Sequence, residues 1–228
     1  MYALHCIVVF TALAVTTLMV NLFIPGPRRR RRIAGIFSRA FLRAARIPFT
    51  VRGLERLPRV PCVVVANHSS YIDGIVAMAA LPPDFAFVIK KEMVRVPLAS
   101  LLLRRLGSEF VERYNRQEGA SDARRVLRVA ATGQSLVFFP EGTFDERRGI
   151  RQFLRGAFTT AERSSMPVVA MAMHGTRDVL PPGGLMMYRR PIRVEIIEVF
   201  EAPEASDARR RSREVIARAL GEPLSPEL

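Results

Sequence analysis

The sequence predicts an α/β fold: a single, mostly parallel sheet flanked by helices, preceded by an N-terminal membrane-anchoring helical segment. Two patterns carry this expectation. Beyond Pro48, short β-rich runs alternate with stretches of helical periodicity, as in strand–helix–strand units. Before it, Ala3 to Ile24 carries no charged residue, and about 20 apolar residues match the thickness of a bilayer's hydrocarbon core. The 228 residues, 49% of them hydrophobic, suffice for one core, and no internal repeat, linker or second composition regime divides them. The expected organisation is residues 1–49 as anchor, polybasic turn and amphipathic helix, and residues 50–228 as one globular domain.

The apolar run lacks the basic start and the small-x-small cleavage site of a secretory signal peptide, which favours an anchor. PGPRRRRR, Pro25 to Arg32, follows at once, and five arginines beside a membrane segment favour the cytoplasmic side and an anionic lipid surface. Ile33, Ile36, Phe37, Ala40, Phe41 and Ala44 then recur at helical spacing, with Arg39, Arg43 and Arg46 off that stripe. This predicts an interfacial amphipathic helix ended by Pro48, although a core helix has the same pattern. Strands are expected at Cys62–Ala66, Phe85–Ile89, Ser135–Phe139, Val168–Met173 and Ile192–Val199. Ser121 is expected to cap a helix through Ala123, Val126, Leu127 and Ala130 that stops at Gly133. A last helix runs from Ser206 to Leu220, stopped by Gly221 and Pro223.

Lys and Arg number 35 against 21 Asp and Glu, a net charge of +14 that calls for an anionic partner. The anchor selects lipid headgroups over nucleic acid. Cys6 and Cys62 lie far apart without metal-ligand spacing, so neither a disulfide framework nor a metal site is expected, and a reducing compartment is.

Ligands of open α/β sheets bind at the carboxyl ends of strands, which directs attention to Asn67 and His68, to Lys90 and Lys91, and to Pro140 through Thr143. In ANHSSYIDG, Ala66 to Gly74, His68 and Asp73 are five positions apart. On one continuous helix that offset would turn them roughly 140° from each other. They meet only if His68 stays in the loop, with Ser69 or Ser70 capping a helix that carries Asp73. The carboxylate then takes the Nδ1 proton and leaves Nε2 bare as a general base. A lone histidine and aspartate also suit a loop histidine bonded locally. No G-x-S-x-G elbow occurs, and Ser69 and Ser70 adjoin the base in sequence, so the nucleophile is expected to belong to the substrate.

Four blocks occur in order: NHSSYID, GSEFVER (Gly107 to Arg113), FPEGT (Phe139 to Thr143) and MPVVAMAMHGT (Met166 to Thr176). Together, over roughly Val51 to Phe200, they resemble the glycerolipid acyltransferases of the lysophosphatidic acid acyltransferase type. The resemblance implies transfer of a fatty acyl group to a lysophospholipid hydroxyl, with His68 as base and Asp73 as its orienting partner. The donor would be acyl-CoA or acyl carrier protein, a substrate rather than a cofactor, and no metal is implied. In those roles the residues make chemical sense. Arg113 has a planar fork for two phosphate oxygens, Gly107 lets backbone approach closely, and Phe110 lies in the same block. Glu141 either binds donors or a substrate hydroxyl or simply holds the turn at Gly142, and Thr143 offers a further hydrogen bond. Lys90 and Lys91, the only lysines, suit phosphate or a solvated strand end, and His174 reads as structural.

The chain departs from the family where a basic residue commonly follows FPEGT: it has Phe144 and Asp145, with Arg147 and Arg148 one turn later. The reading is an acyltransferase on the cytoplasmic face of a bacterial-type inner membrane, with 1-acylglycerol 3-phosphate as favoured acceptor. The competitors are a different lysolipid acceptor, such as one containing an amino acid, a lipid esterase using water, and a non-catalytic basic membrane-binding protein.

Overall fold

The structure, a computed structural model, describes residues 1–112 and 116–225. Its strands are β1 (Phe49–Arg52), β2 (Val63–Ala66), β3 (Phe85–Lys90), β4 (Glu109–Val111), β5 (Ser135–Phe138), β6 (Val168–His174) and β7 (Ile192–Phe200). They form one sheet in the order β1-β7-β6-β2-β5-β3-β4. Every neighbouring pair is parallel except β6 and β7, so β1 and β7 run against the other five. The central strand β2 is VVVA and buried throughout, as expected of a strand covered on both faces. Its residues alternate between two cores: Val64 and Ala66 face α1 (Tyr2–Phe23), α2 (Pro27–Ala44) and α3 (Asp73–Ala80). Val63 and Val65 face α5 (Arg116–Ala131), α6 (Gly156–Arg163) and α8 (Ala205–Leu220). The remaining helices are α4 (Pro97–Arg105), which packs beside α1, and the single turn α7 (Thr176–Val179).

The fold class and the five anticipated strands are as the sequence reading has them, with ends differing by at most one residue; β1, β4, α4, α6 and α7 are additions. The polybasic stretch is not a turn. Pro27 starts α2 at its first helical position, and arginine is a good helix former, so the run from Arg28 to Arg32 is helical. Nor are all its charges available to lipid. Arg31 is 3% exposed and donates to Leu106 O (2.9 Å), Pro83 O (3.2 Å) and Gln134 Oε1 (3.0 Å). Arg30 donates to Ile24 O and Arg105 O, and Arg28 pairs with Asp84. Arg29 and Arg32 stay at the surface.

Helix α2 is correspondingly a core helix, packed between α1 and α3, with Ala34, Gly35, Phe41 and Leu42 buried and Ile36 exposed. Residues 1–49 are no separate appendage: Cys6, Phe41, Leu42, Ala45 and Ile47 belong to the same core cluster as Val64 and Met171. Ser121 lies inside α5, which begins at Arg116, rather than capping it.

Candidate active site

Strand β2 ends at Ala66 in the middle of the sheet, and the next residue fixes how the chain leaves it. Asn67 is 3% exposed; its Nδ2 donates to Met173 O (3.0 Å) and its Oδ1 accepts from Met173 N (2.8 Å). The amide thus pairs with β6 as a strand backbone would, a role not foreseen for it. His68 follows in the loop, and α3 starts only at Asp73. Asp73 itself, instead of a serine side chain, receives the loop's amides: Oδ2 accepts from Ser69 N (2.6 Å), Ser70 N (2.9 Å) and His68 Nδ1 (2.8 Å). Its side chain is fully buried, and Oδ1 has no hydrogen-bond partner among the described residues. The carboxylate fixes the Nδ1–H tautomer of His68, leaving Nε2 on the opposite edge of the ring.

The imidazole is held in its plane as well. Phe139 stacks on it (4.7 Å between centroids, 26°) and Phe144 meets it edge-on (4.5 Å, 74°). Tyr71 packs on Phe144 in turn (4.8 Å). Behind the loop, Glu141 of the turn after β5 accepts His68 N on Oε1 (2.7 Å) and Arg151 N on Oε2 (2.9 Å). Burial pushes its carboxyl up to about 7 against the pull of those two donors. Glu141 therefore holds the His68 loop from behind, and Gly142 makes the turn at φ 77°. Neither serine hydroxyl is a free nucleophile: Ser69 Oγ meets Thr176 Oγ1 at 3.1 Å and Ser70 Oγ donates to Leu180 O at 2.7 Å.

His68 lines an apolar cavity of about 440 Å³, walled by Phe10, Leu13 and Ala14 of α1, Phe37 and Phe41 of α2, Ile75 and Met78 of α3, and Leu102 and Leu103 of α4. Lys90, Gly142, Thr143 and Phe144 line it too. Gly107 and Phe110 do not. Gly107, at φ 70°, lets α2 pass close: an added Cβ would lie 3.1 Å from Pro27. Phe110 is buried on β4, its ring 5.2 Å from the Arg104 guanidinium. Arg113 lies outside the described residues. Asp145, two residues after FPEGT, binds Arg151 (2.6 Å) and Arg147 (3.5 Å), so these arginines neutralise an internal acid. His174 at the end of β6 has Arg193 Nη2 within 3.3 Å of its ring nitrogens, and burial, with the Arg193 charge, holds its pKa below the usual value, as for a structural histidine.

A family model described as Acyltransferase matches residues 48–174. A chloroplastic 1-acyl-sn-glycerol-3-phosphate acyltransferase of Brassica napus is 29% identical over 161 residues, covering 68% of this chain and 46% of its own length. A lyso-ornithine lipid O-acyltransferase of Pseudomonas aeruginosa is 33% identical over 141 residues, 60% of this chain and 52% of the relative. The chain spans about half the length of these curated relatives. The crystal structure of the 1-acyl-sn-glycerophosphate acyltransferase PlsC from Thermotoga maritima has the same fold, with a TM-score of 0.81 at 20% identity over 96% of this chain and 92% of that one. With the family model covering more than half the chain, the chain belongs to the acyltransferase family, of the lysophosphatidic acid acyltransferase type.

Proposed function

We propose that this protein transfers a fatty acyl group from the thioester of acyl-CoA or acyl carrier protein to the free hydroxyl of a lysophospholipid, with 1-acylglycerol 3-phosphate as acceptor. The observation that carries the proposal is the His68–Asp73 pair, bonded at 2.8 Å, on the wall of an apolar cavity large enough for an alkyl chain. His68 Nε2 takes the hydroxyl proton as the oxygen attacks the thioester carbonyl; the C–S bond then breaks and the thiolate recovers the proton from His68. Buried Asp73 stabilises the transient imidazolium. Thr143 lies on the cavity wall as a donor for the substrate. Arg113 and Lys90 are the cations proposed to bind acceptor phosphate. The domain would lie at the cytoplasmic face with α1 in the facing leaflet, because α1 is buried against the domain at both ends, at Cys6 and at Asn21.

Phe144 supports a second acceptor class. At the position where the family commonly carries a base stands an aromatic ring packed on the catalytic imidazole, and an amino-acid lysolipid is acylated by the Pseudomonas aeruginosa relative by its name. One experiment separates the readings: the purified protein is given labelled acyl-CoA or acyl carrier protein with a panel of lysolipids, and the products are weighed. Acylated lysophosphatidic acid is expected from the wild type and none from His68→Ala. Free fatty acid alone would replace transfer by hydrolysis, and near wild-type transfer by a folded His68→Ala would end the proposal.

A further inference from the structure

The segment between α7 and β7, LPPGGLMMYRRP from Leu180 to Pro191, has an unusual exposure pattern. Leu185 is 85% exposed, Met186 60% and Tyr188 45%, and Arg189 and Arg190 are exposed beside them. Water-facing loop tips seldom consist of two large apolar side chains. The base of the loop is firmly held. Leu180 O accepts from Ser70 Oγ (2.7 Å), Tyr188 N donates to Val179 O (2.8 Å) and Met187 packs on the core. A turn bonded from Gly184 N to Pro181 O (3.1 Å) turns the tip outward.

The loop sits at the carboxyl end of β6, the same edge of the sheet from which His68 projects. It also touches the end of α2, where Arg189 Nε donates to Arg46 O (3.0 Å). We propose that this segment is a second lipid-contacting element beside α1, docking on a monolayer with anionic headgroups. Leu185 and Met186 enter the acyl region, Tyr188 lies at the headgroup boundary, and Arg189 and Arg190 meet lipid phosphates. The order apolar, aromatic, cationic follows the depth profile of a monolayer. Two side chains are far too small a patch for a stable protein interface of about 1,000 Å². With α1 packed along the domain, a single helix in the leaflet still leaves the domain free to roll about that helix's axis, and a second contact off that axis fixes its pose. Because Ser70 of the catalytic loop bonds the base of this segment, the second contact sets the height of His68 above the lipid. The inference rests on the membrane placement of α1 but not on the acyl-transfer chemistry.

The chain contains no tryptophan, so one introduced indole is an unambiguous probe. Full-length Leu185→Trp and, separately, Val8→Trp on the exposed face of α1 are bound to equimolar phosphatidylcholine and phosphatidylglycerol vesicles containing acyl-brominated lipid. Both emissions are expected to shift to the blue and be quenched, and Arg190→Glu added to Leu185→Trp is expected to weaken its quenching. Quenching of Val8→Trp alone overturns the second contact and leaves the membrane reading standing; quenching of neither overturns both. As a further readout, Leu185→Asp with Met186→Asp is expected to lower turnover of vesicle-borne lysolipid about tenfold while leaving turnover in detergent micelles within about twofold. Equal losses in both media would show a structural role and refute the inference.

Discussion

The charge on Asp73 is separable from its geometry. Among the described residues three donors converge on Oδ2 while Oδ1 is buried without a partner, so an asparagine can keep its oxygen facing the donors and place its NH₂ where Oδ1 was. Asp73→Asn should therefore fold with the imidazole in place, yet lose the anion that stabilises His68 when protonated. Turnover is expected to fall at least about 10²-fold with little change in acceptor KM, measured by steady-state kinetics. Glu141 allows a pH test. Its carboxyl is raised from 4.5 to about 7 on folding, so between those values the folded chain holds a proton the unfolded chain has lost. The contribution of Glu141 to stability is full below pH 4.5, falls as pH rises through the window and is flat above it. Glu141→Gln should remove that component of slope, read as a smaller drop in thermal midpoint from pH 5 to pH 8 than the wild type shows. A parallel slope in both proteins would exclude burial of this carboxyl as its source.

At the level of elements, arginine-to-carbonyl bonds lock α1, α2 and α4 together. Arg31 donates to the carbonyl at the end of α4, and Arg105 of α4 donates to Asn21 O and Leu22 O at the end of α1, satisfying carbonyls that helix ends leave open. Arg31→Ala strands Leu106 O, Pro83 O and Gln134 Oε1 and leaves a void; it is expected to cost about 3 kcal/mol, roughly 6–12 °C in thermal midpoint. Exposed Arg29→Ala should change stability by less than about 0.5 kcal/mol. This difference among five identical letters marks where sequence reading stops. Strand β2 was legible because a wholly apolar run leaves little choice of structure, and the His68–Asp73 pairing because its five-residue offset demands a loop. The site's supports were not: Asn67 bonds Met173, more than 100 positions away, and nothing local announces a contact set by the order of strands. Strand β4, three residues long, and α4, whose Leu98 and Leu101 face outward, offer too little periodicity to be found.

For the whole molecule, the consequence is that the N-terminal helix is part of the site and not only a tether. A tether leaves the domain; α1 instead lies along it, burying Cys6, Thr17, Leu18 and Asn21 over its length while Ile7, Val8, Val15 and Met19 face outward. Phe10, Leu13, Ala14 and Thr17 form one wall of the cavity that His68 lines, and Phe10 rests edge-on against Phe41 of α2 (5.5 Å). A chain beginning at Gly26 would lose that wall and the carbonyls that hold Arg105. A tether-only role predicts that such a truncation keeps full activity on a water-soluble, short-chain lysolipid, because nothing need then be brought to a membrane. The packing predicts the opposite: activity on the soluble acceptor falls on the order of 10²-fold, because the wall that positions the acyl chain beside His68 is gone. Comparing the two chains on soluble and vesicle-borne acceptors checks this, and equal activity on the soluble acceptor would reduce α1 to an anchor.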